Sequence, residues 1–359
     1  MKKLLALILV LSIALFAFVG CTNEQPAPAP APAPSEEPKE EPKDEEPVAE
    51  GAVKTGLAVV TSLGKSKDAT ADAEGVSQSD SVVVAVNVDN EGKIVKAVID
   101  TAQTKINFSN EGKVTTDLAS VFVPKQELKE EYGMAKASTL GKEWYEQANF
   151  LADYIVGKTV EEVKAIPTTD TGVPTDADLV SSVTIKIDGY KDAVEKAVAN
   201  AQDLGASAED TLGLGIVTTI AKSKDATADA EGQAQAYSIY TVTTFDAEGK
   251  ITSNIVDASQ ATTKFDATGK ISTDLTAPVK TKVELGDEYG MKKASQIGKE
   301  WFEQAAAFSE YVVGKTVEEV KAFETDETGH NTEADLVSSV TVGINEFKTV
   351  IEKAFNTAK

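Results

Sequence analysis

Runs of β-branched residues near the start of the folded region alternate with polar turns, and this pattern predicts β-strands. The predicted strands are Leu57–Leu63, Ser81–Asp89 and Lys93–Asp100. Because the turn Asn90–Gly92 separates the last two, they are expected to form a hairpin. A second hairpin is predicted from Lys105–Phe108 and Lys113–Leu118, joined by a turn over Ser109–Gly112.

From about residue 125 the apolar positions recur every three or four residues, which predicts helices. The apolar face of the first long helix consists of Trp144, Ala148, Leu151 and Ile155. A shorter helix is predicted near Val160–Ala165, because Thr159 and Glu162 have the spacing of a capping box. The apolar face of a last helix consists of Tyr190, Val194, Ala197 and Ala201. The predicted N-cap of this last helix is Asp188.

Directly before the last helix, apolar and polar residues alternate with a period of two. Val183, Ile185 and Ile187 are separated by Thr184 and Lys186. Such alternation predicts a half-buried strand whose threonine side faces solvent. Thr184 would then stand just ahead of a helix N-terminus, where the partial positive charge favours a phosphate group.

The whole pattern occurs twice. A shift of 157 residues places Trp144 on Trp301 without any insertion or deletion. The same shift places the predicted N-cap Asp188 on Asn345. Each copy is long enough to hold its own core. We therefore predict an α+β fold made of two tandem copies of one domain, each an antiparallel sheet with helices. The predicted ranges are 51–202 for the first repeat, 203–210 for a connector and 211–359 for the second repeat.

The N-terminus predicts export and anchoring. Residues 1–20 resemble a secretory signal peptide, with two lysines followed by the apolar run Leu4–Val19. Cys21 is the only cysteine, so it has no disulfide partner, and its position predicts lipidation. The alternative is a plain signal peptide with an incidental cysteine. Residues 21–50 are rich in proline, alanine and glutamate and predict a disordered, extended tether. We expect a protein lipid-anchored at the extracellular face of the cell membrane.

Composition excludes several classes of function. The net charge is −23 and all 35 basic residues are lysine, so nucleic acid is not an expected partner. One histidine and one cysteine do not supply an ordinary zinc, copper, haem or iron–sulfur site. A Ser-His-Asp or Cys-His catalytic set cannot occur in both repeats, because the first repeat has no histidine. Redox chemistry in this chain would therefore need an organic cofactor.

One heptapeptide is repeated without change: Asp178–Thr184 reads DLVSSVT, and Asp335–Thr341 reads the same. It resembles the acceptor motif of covalently flavinylated FMN-binding domains, in which an aspartate precedes a Ser-Gly-Ala-Thr-like tetrapeptide. Over both repeats the chain resembles the two-domain flavinylated surface lipoproteins of Gram-positive bacteria (PplA-like). Ser182-Val183 and Ser339-Val340 stand where that family pattern has Gly-Ala.

In that family a flavin transferase esterifies the threonine hydroxyl with the phosphate of FMN. The resemblance therefore implies two covalent FMN groups, one on Thr184 and one on Thr341. The other motif residues are Asp178, Ser181 and Ser182 in the first repeat and Asp335, Ser338 and Ser339 in the second. The resemblance also implies an electron carrier without a substrate site of its own. Its electrons would come from a membrane quinol or dehydrogenase system and go to extracellular acceptors in the Gram-positive cell-wall space.

Aromatic and thioether side chains that recur in both repeats are the candidates for contact with a flavin ring. They are Tyr132, Met134 and Trp144 in the first repeat and Tyr289, Met291 and Trp301 in the second. For the two tryptophans, an ordinary place in the core is the simpler interpretation.

Two questions stay open on the sequence alone. The loop Lys65–Gly75 (KSKDATADAEG) recurs unchanged as Lys222–Gly232. Either the duplication is recent, or the loop covers the flavin or is read by the modifying enzyme. The chain also fits a tethered binding protein that captures a solute or a cell-wall polymer and carries no flavin. The threonine hydroxyl separates the two functions, because a binding protein would not need it.

Overall fold

The β-branched runs of both repeats form long antiparallel strands, and the chain has an α+β fold with two sheets. The structure is a computed structural model that describes residues 51–359; the predicted signal peptide, Cys21 and the tether lie outside these residues. The strands are β1 (Ala52–Ser62), β2 (Gly75–Val88), β3 (Ile94–Phe108), β4 (Gln202–Ser207), β5 (Thr211–Thr219), β6 (Gly232–Phe245) and β7 (Ile251–Phe265). The two sheets have the strand orders β3-β2-β1-β4 and β5-β6-β7.

The first predicted hairpin is confirmed; of the second, the turn over Ser109–Gly112 is present, but Lys113–Leu118 does not form a strand. Gly92 has a φ of +80° between β2 and β3, a left-handed conformation that a β-branched residue would adopt only with strain. The segment Lys105–Phe108 is not a separate strand but the end of β3. Beyond the turn, only Val114 forms a bridge with β3. The N–H of Val114 instead donates to Asp225 of the second repeat, so this segment serves the contact between the repeats.

The connector predicted over residues 203–210 contains most of β4. This strand pairs antiparallel with β1, with Thr55 opposite Gln202 and Lys54 opposite Asp203. The link between the repeats is therefore part of the first sheet.

Six of the helices lie where the sequence predicts them, and the short helices α1 and α5 are additional. They are α1 (Lys125–Leu128), α2 (Trp144–Ile155), α3 (Val160–Lys164), α4 (Asp188–Ala199), α5 (Lys282–Leu285), α6 (Trp301–Val312), α7 (Val317–Lys321) and α8 (Asn345–Thr357). The capping box of Thr159 and Glu162 is present at the start of α3. Within residues 51–359, no helix has the length and apolar character needed to cross a membrane.

The predicted N-cap roles of Asp188 and Asn345 are wrong. Both residues are the first residue of their helix, and the preceding isoleucines occupy the N-cap position without a side-chain cap. The side chains turn back to an earlier loop instead. Asp188 accepts a hydrogen bond from the hydroxyl of Thr168, and Asn345 accepts one from Thr325. The earlier loop therefore binds the side chain that would otherwise cap the N-terminus of the helix.

Glycines on β5 allow helix α8 to lie directly on the sheet. A Cβ atom added at Gly213 would overlap the carbonyl of Ala354, and one at Gly215 would overlap the carbonyl of Val350. Because both obstacles are helix backbone, neither can move away as a flexible side chain could. The close approach of α8 therefore requires glycine at these positions.

Each sheet has one face against its own helices and the other against the second sheet. Successive residues of a strand point to opposite faces. On β2, Val84 and Val86 join the core formed with α2 and α4, whereas Val83 and Ala85 pack in a core between the sheets. Leu214 of the second sheet belongs to that shared core. The two repeats are thus joined by an apolar interior.

The recurring KSKDATADAEG loop of the first repeat binds a turn of the second. The N–H of Ala69 donates to the carbonyl of Gly269 over 2.9 Å. The carboxylate of Asp68 accepts the N–H of Ile271 over 2.8 Å. A Cβ atom on Gly269 would press on the Cβ of Ala69, so the glycine makes this contact possible.

The copy of the loop in the second repeat makes the reciprocal contacts. The N–H of Ala226 donates to the carbonyl of Gly112 over 2.7 Å, and Asp225 accepts the N–H of Val114 over 2.8 Å. The two loops therefore have an observed role that the sequence left open: each holds the other repeat. None of their residues lies in the wall of the threonine cavity described below.

Candidate functional site

The repeated heptapeptide forms a tight turn, so the strand predicted at Val183–Ile187 is wrong. The carbonyl of the buried Leu179 accepts hydrogen bonds from the N–H groups of Ser182 (2.9 Å) and Val183 (2.8 Å). The carbonyl of Leu336 accepts the corresponding bonds in the second repeat. Because the segment bonds to itself in this way, its backbone does not pair with a neighbouring strand.

A buried glutamine holds each acceptor threonine. Gln304 on α6 is fully buried, and its Oε1 accepts both the N–H of Thr341 (2.8 Å) and its hydroxyl (3.2 Å). Gln147 on α2 makes the same two bonds to Thr184, with the same distances. The amide oxygen accepts the hydrogen bond of the hydroxyl and so fixes the threonine side chain. The threonine oxygen keeps its lone pairs available for bonding.

Thr341 lies in the wall of a cavity of about 610 Å³. The same wall contains three of the candidates for flavin contact, namely Tyr289, Met291 and Trp301. Its volume is usual for a small-molecule site, and its wall combines aromatic side chains with polar ones such as Asn331 and Glu346. The structure therefore brings the second acceptor threonine together with the predicted aromatic and thioether side chains.

The cavity also contains a buried lysine that the sequence reasoning missed. Lys282 is the first residue of α5 and only 5% exposed. Its Nζ lies 4.7 Å from the ring centroids of Tyr237 and Tyr289 and 4.8 Å from that of Trp301. The ammonium also donates to the hydroxyl of Tyr237 over 3.2 Å. Burial lowers the pKa of Lys282 to about 8, because leaving water disfavours the charged form.

A buried aspartate on the third strand of each repeat binds the short helix that carries the lysine. Asp257 on β7 accepts the N–H of Val283 over 3.1 Å, and Asp100 on β3 accepts the N–H of Gln126 over 3.0 Å. Burial raises the pKa of Asp257 to about 6 and that of Asp100 to about 7. The charge of Asp257 partly offsets the loss of basicity of Lys282.

A buried glutamate fixes the methionine of each repeat. The Glu300 carboxylate accepts the N–H of Met291 over 2.8 Å, and the Glu143 carboxylate accepts that of Met134 over the same distance. Both glutamates are buried directly before the long helices. Since carboxylates form strong hydrogen bonds with backbone N–H groups, the methionine loop is held firmly at the end of the helix.

The first repeat has a corresponding buried lysine beside a tyrosine and a tryptophan. Lys125 is 9% exposed, and its Nζ lies 4.4 Å from the ring centroid of Tyr132 and 5.3 Å from that of Trp144. The indole N–H of Trp144 donates to the hydroxyl of Tyr190 over 3.0 Å. Met134 packs against the same core. The tryptophans are core residues in both repeats, and Trp301 is in addition part of a cavity wall.

A charged residue distinguishes the first arrangement from the second. Asp80 on β2 stands where β6 has Tyr237. Burial by itself would raise the pKa of Asp80, but bonds with Lys65, Gln103 and Gln78 lower it below its ordinary value. Asp80 therefore stays ionised and pairs with Lys65 over 2.8 Å. The first repeat carries a paired carboxylate at a place where the second has a neutral ring.

The remaining motif residues lie away from the cavity wall. Those with exposed side chains are Asp178, Ser181, Asp335 and Ser338. Ser182 is buried and accepts a hydrogen bond from Lys142 over 3.1 Å, and Ser339 is half-buried. The aspartates and the first serines are thus presented at the surface and do not contact the threonine hydroxyl.

The sequence reasoning did not identify the two buried glutamines or the two buried lysines, and the sequence contains an indication only for the glutamines. Gln147 and Gln304 follow the tryptophans by three positions, so they fall on an otherwise apolar helix face in both repeats. A polar residue on such a face indicates a specific partner. Lys125 and Lys282 had no comparable signal, because lysine is ordinarily exposed.

A larger cavity of about 710 Å³ lies elsewhere, lined mainly by apolar residues of β4, β7 and α6. None of the predicted site residues lines it. Its lining includes Asn254 and Ser309, and in the described part of the chain each has a buried polar atom without a hydrogen-bond partner. Among residues 51–359, no group of three or more His, Cys, Asp or Glu side chains is placed to hold a metal ion.

Comparison with known proteins gives one short similarity. A chlorophenol reductase from Desulfitobacterium hafniense is 56% identical over 41 residues. This segment covers 11% of the present chain and 12% of the reductase. No protein-family model matches the chain, and no solved structure matches it.

Proposed function

We propose that this protein is an extracellular electron carrier with two FMN groups, joined through their phosphates to Thr184 and Thr341. The observation that supports this best is an arrangement found twice. In each repeat a threonine hydroxyl is held by a buried glutamine, and a buried lysine lies among aromatic rings. In the second repeat the threonine, the lysine and the aromatic rings share one cavity.

The residues of the second cavity suit an aromatic anion. Tyr289, Met291 and Trp301 would hold the flat ring system, and the buried ammonium group of Lys282 would offset its negative charge. Bound FMN would supply reversible one- and two-electron chemistry. The protein residues would hold the group and shield it. In this proposal no residue of the chain acts as a catalyst, so the protein is a carrier and not an enzyme.

We also propose that the repeats are two tandem copies of one FMN-binding-type domain, over residues 51–202 and 211–359. The strands and helices of the first repeat recur in the second at the same spacing. A flavin transferase would need access to the acceptor turn. The exposed side chains of Asp178 and Asp335 lie on that turn and are suited to recognition by this partner.

The proposed setting follows from the N-terminal sequence. A lipid on Cys21 would hold the protein at the extracellular face of the membrane, and the tether would let the repeats work in the cell-wall space. Electrons would enter from a membrane quinol or dehydrogenase system and leave to extracellular acceptors. The similarity to a chlorophenol reductase is too short to identify a substrate.

Protein isolated from its native host should be yellow and should stay yellow after denaturation. An ester bond survives unfolding, whereas a cofactor held only by contacts is released with the fold. The measurement is a fluorescent flavin band at the position of the protein in a denaturing gel. Colourless protein from a host that contains the flavin transferase would contradict the proposal.

A second function is favoured by the larger cavity. Its mainly apolar lining suits an apolar solute, as in a tethered binding protein that carries no flavin. The two functions predict different masses for native protein. A mass equal to that of the lipidated polypeptide alone would favour solute binding, and two added flavin masses would favour the electron carrier.

Replacing Cys21 by serine should move the protein from the membrane fraction to the medium, because the lipid would then have no attachment point. Fractionation followed by immunoblotting measures the change. The circular dichroism spectrum of the released protein should match that of wild type, because the substitution changes no residue of the two repeats. A variant that stays in the membrane fraction would show that the run Leu4–Val19 is retained as the anchor.

A further inference from the structure

Lys282 is a buried cation without an acidic partner in its immediate surroundings. Among the described residues, no carboxylate oxygen lies within 4.0 Å of its Nζ. Removing an ammonium group from water is costly unless another group compensates its charge. The faces of Tyr237, Tyr289 and Trp301 supply part of that compensation.

The carboxylate whose charge acts on Lys282 is that of Asp257, and it already accepts hydrogen bonds from other groups. Asp257 influences Lys282 through its charge, but its Oδ1 accepts the N–H groups of Ala258 (2.7 Å) and Val283 (3.1 Å). The acids at the cavity, Asp326 and Glu346, have exposed side chains in contact with water. Their effect on a buried charge is therefore weakened by solvent screening.

The position of Lys282 points to a ligand. It lines the same cavity as the hydroxyl of Thr341, so an anion attached to that hydroxyl would share the cavity with the ammonium group. Lysine side chains are rarely buried in proteins, and this chain has an excess of acidic residues with a net charge of −23. Lys125 recurs at the equivalent place in the first repeat, again buried and again beside a tyrosine and a tryptophan.

We propose that Lys282 and Lys125 set the reduction potentials of the two flavins by favouring the reduced form with their positive charge. This inference rests on the proposed flavin attachment. Reduction adds negative charge to a flavin, and a buried cation beside it stabilises that charge more than a cation in water would. Each lysine would thus raise the potential of the flavin in its own repeat.

The test uses full-length protein modified by the flavin transferase, in the Thr184→Val background, so that only the second repeat carries flavin. Lys282→Gln removes the charge, whereas Lys282→Arg keeps it. We expect the glutamine variant to lower the equilibrium ratio of reduced to oxidised flavin at a fixed potential at least tenfold. For a two-electron couple this corresponds to about 30 mV. The arginine variant should stay within twofold of the parent.

Lys293→Gln is the matched control, because Lys293 is an exposed lysine of the same repeat and does not line the cavity. Spectroelectrochemical titration measures the potential, and intact mass confirms that each sample carries one flavin. If Lys282→Gln is flavinylated and its potential equals that of the control, the inference is wrong although the proposed function stands. If the parent carries no flavin, the proposed function fails and the inference with it.

The first repeat supplies a second test that does not depend on the folding of Lys282→Gln. In the Thr341→Val background only Thr184 carries flavin, and Lys125→Gln should lower its potential in the same direction. An unchanged potential in this variant would likewise overturn the inference.

Discussion

Replacing Thr184 and Thr341 by valine should lower the number of attached flavins from two to one in each single variant and to none in the double variant. Valine has nearly the shape of threonine but lacks the hydroxyl that the ester needs. The cost in stability should be small. The Gln304 oxygen would lose the hydroxyl of Thr341, a hydrogen bond worth about 1 kcal/mol, but would keep the backbone N–H. Chain folding should therefore survive the change.

The measurement is the intact mass of the four proteins, expressed beside the flavin transferase. Thr175→Val and Thr332→Val serve as controls, because these threonines are exposed just ahead of the heptapeptide in each repeat and should not alter the flavin count. Electron transfer to an extracellular acceptor should fall in the single variants and disappear in the double one. A double variant that still carries flavin would show that other hydroxyls are the acceptors, and the next to be examined are Ser181, Ser182, Ser338 and Ser339.

Replacing Phe108 by alanine should reduce the free energy of unfolding by about 3–5 kcal/mol, the usual cost of removing a buried phenylalanine. The ring is fully buried and stacks on Phe265 of the other repeat, with centroids 4.2 Å apart and planes 4° from parallel. Ile106 and Ile220 complete the cluster around the pair. The cavity left by alanine would lie between the repeats, so both should lose stability together.

Chemical denaturation measures this change, with secondary structure followed by circular dichroism. Phe150→Ala is the control, because Phe150 lies in a helix of the first repeat but is 37% exposed, and its loss should cost much less. Equal losses for Phe108→Ala and Phe150→Ala would contradict a central role of the stacked pair. Two separate transitions in wild type would contradict cooperative unfolding of the repeats.

Much of the fold could be predicted from the sequence because it depends on local patterns. The strands of the first hairpin, the glycine turn at Gly92 and the capping box at Thr159 follow from the period and from the chemistry of single residues. The repeat, which sets the number of candidate sites, is visible without any structure. At the site, the sequence also identified Tyr289 and Met291, which the structure places in one cavity with Thr341. Their contact with a flavin stays a prediction.

Other features were decided by partners far away in the chain. Alternation at Val183–Ile187 fits a strand, but the segment becomes a turn because Leu179 and Gln147 take its backbone N–H groups. No local pattern reveals that Lys282 is buried, since its compensation comes from rings on three separate elements. The sequence of the KSKDATADAEG loops is typical of surface loops. The packing of the two sheets brings each loop into contact with the other repeat. Local backbone preferences determine which elements form, whereas hydrogen bonds and burial between distant residues determine what the turns and loops between them do.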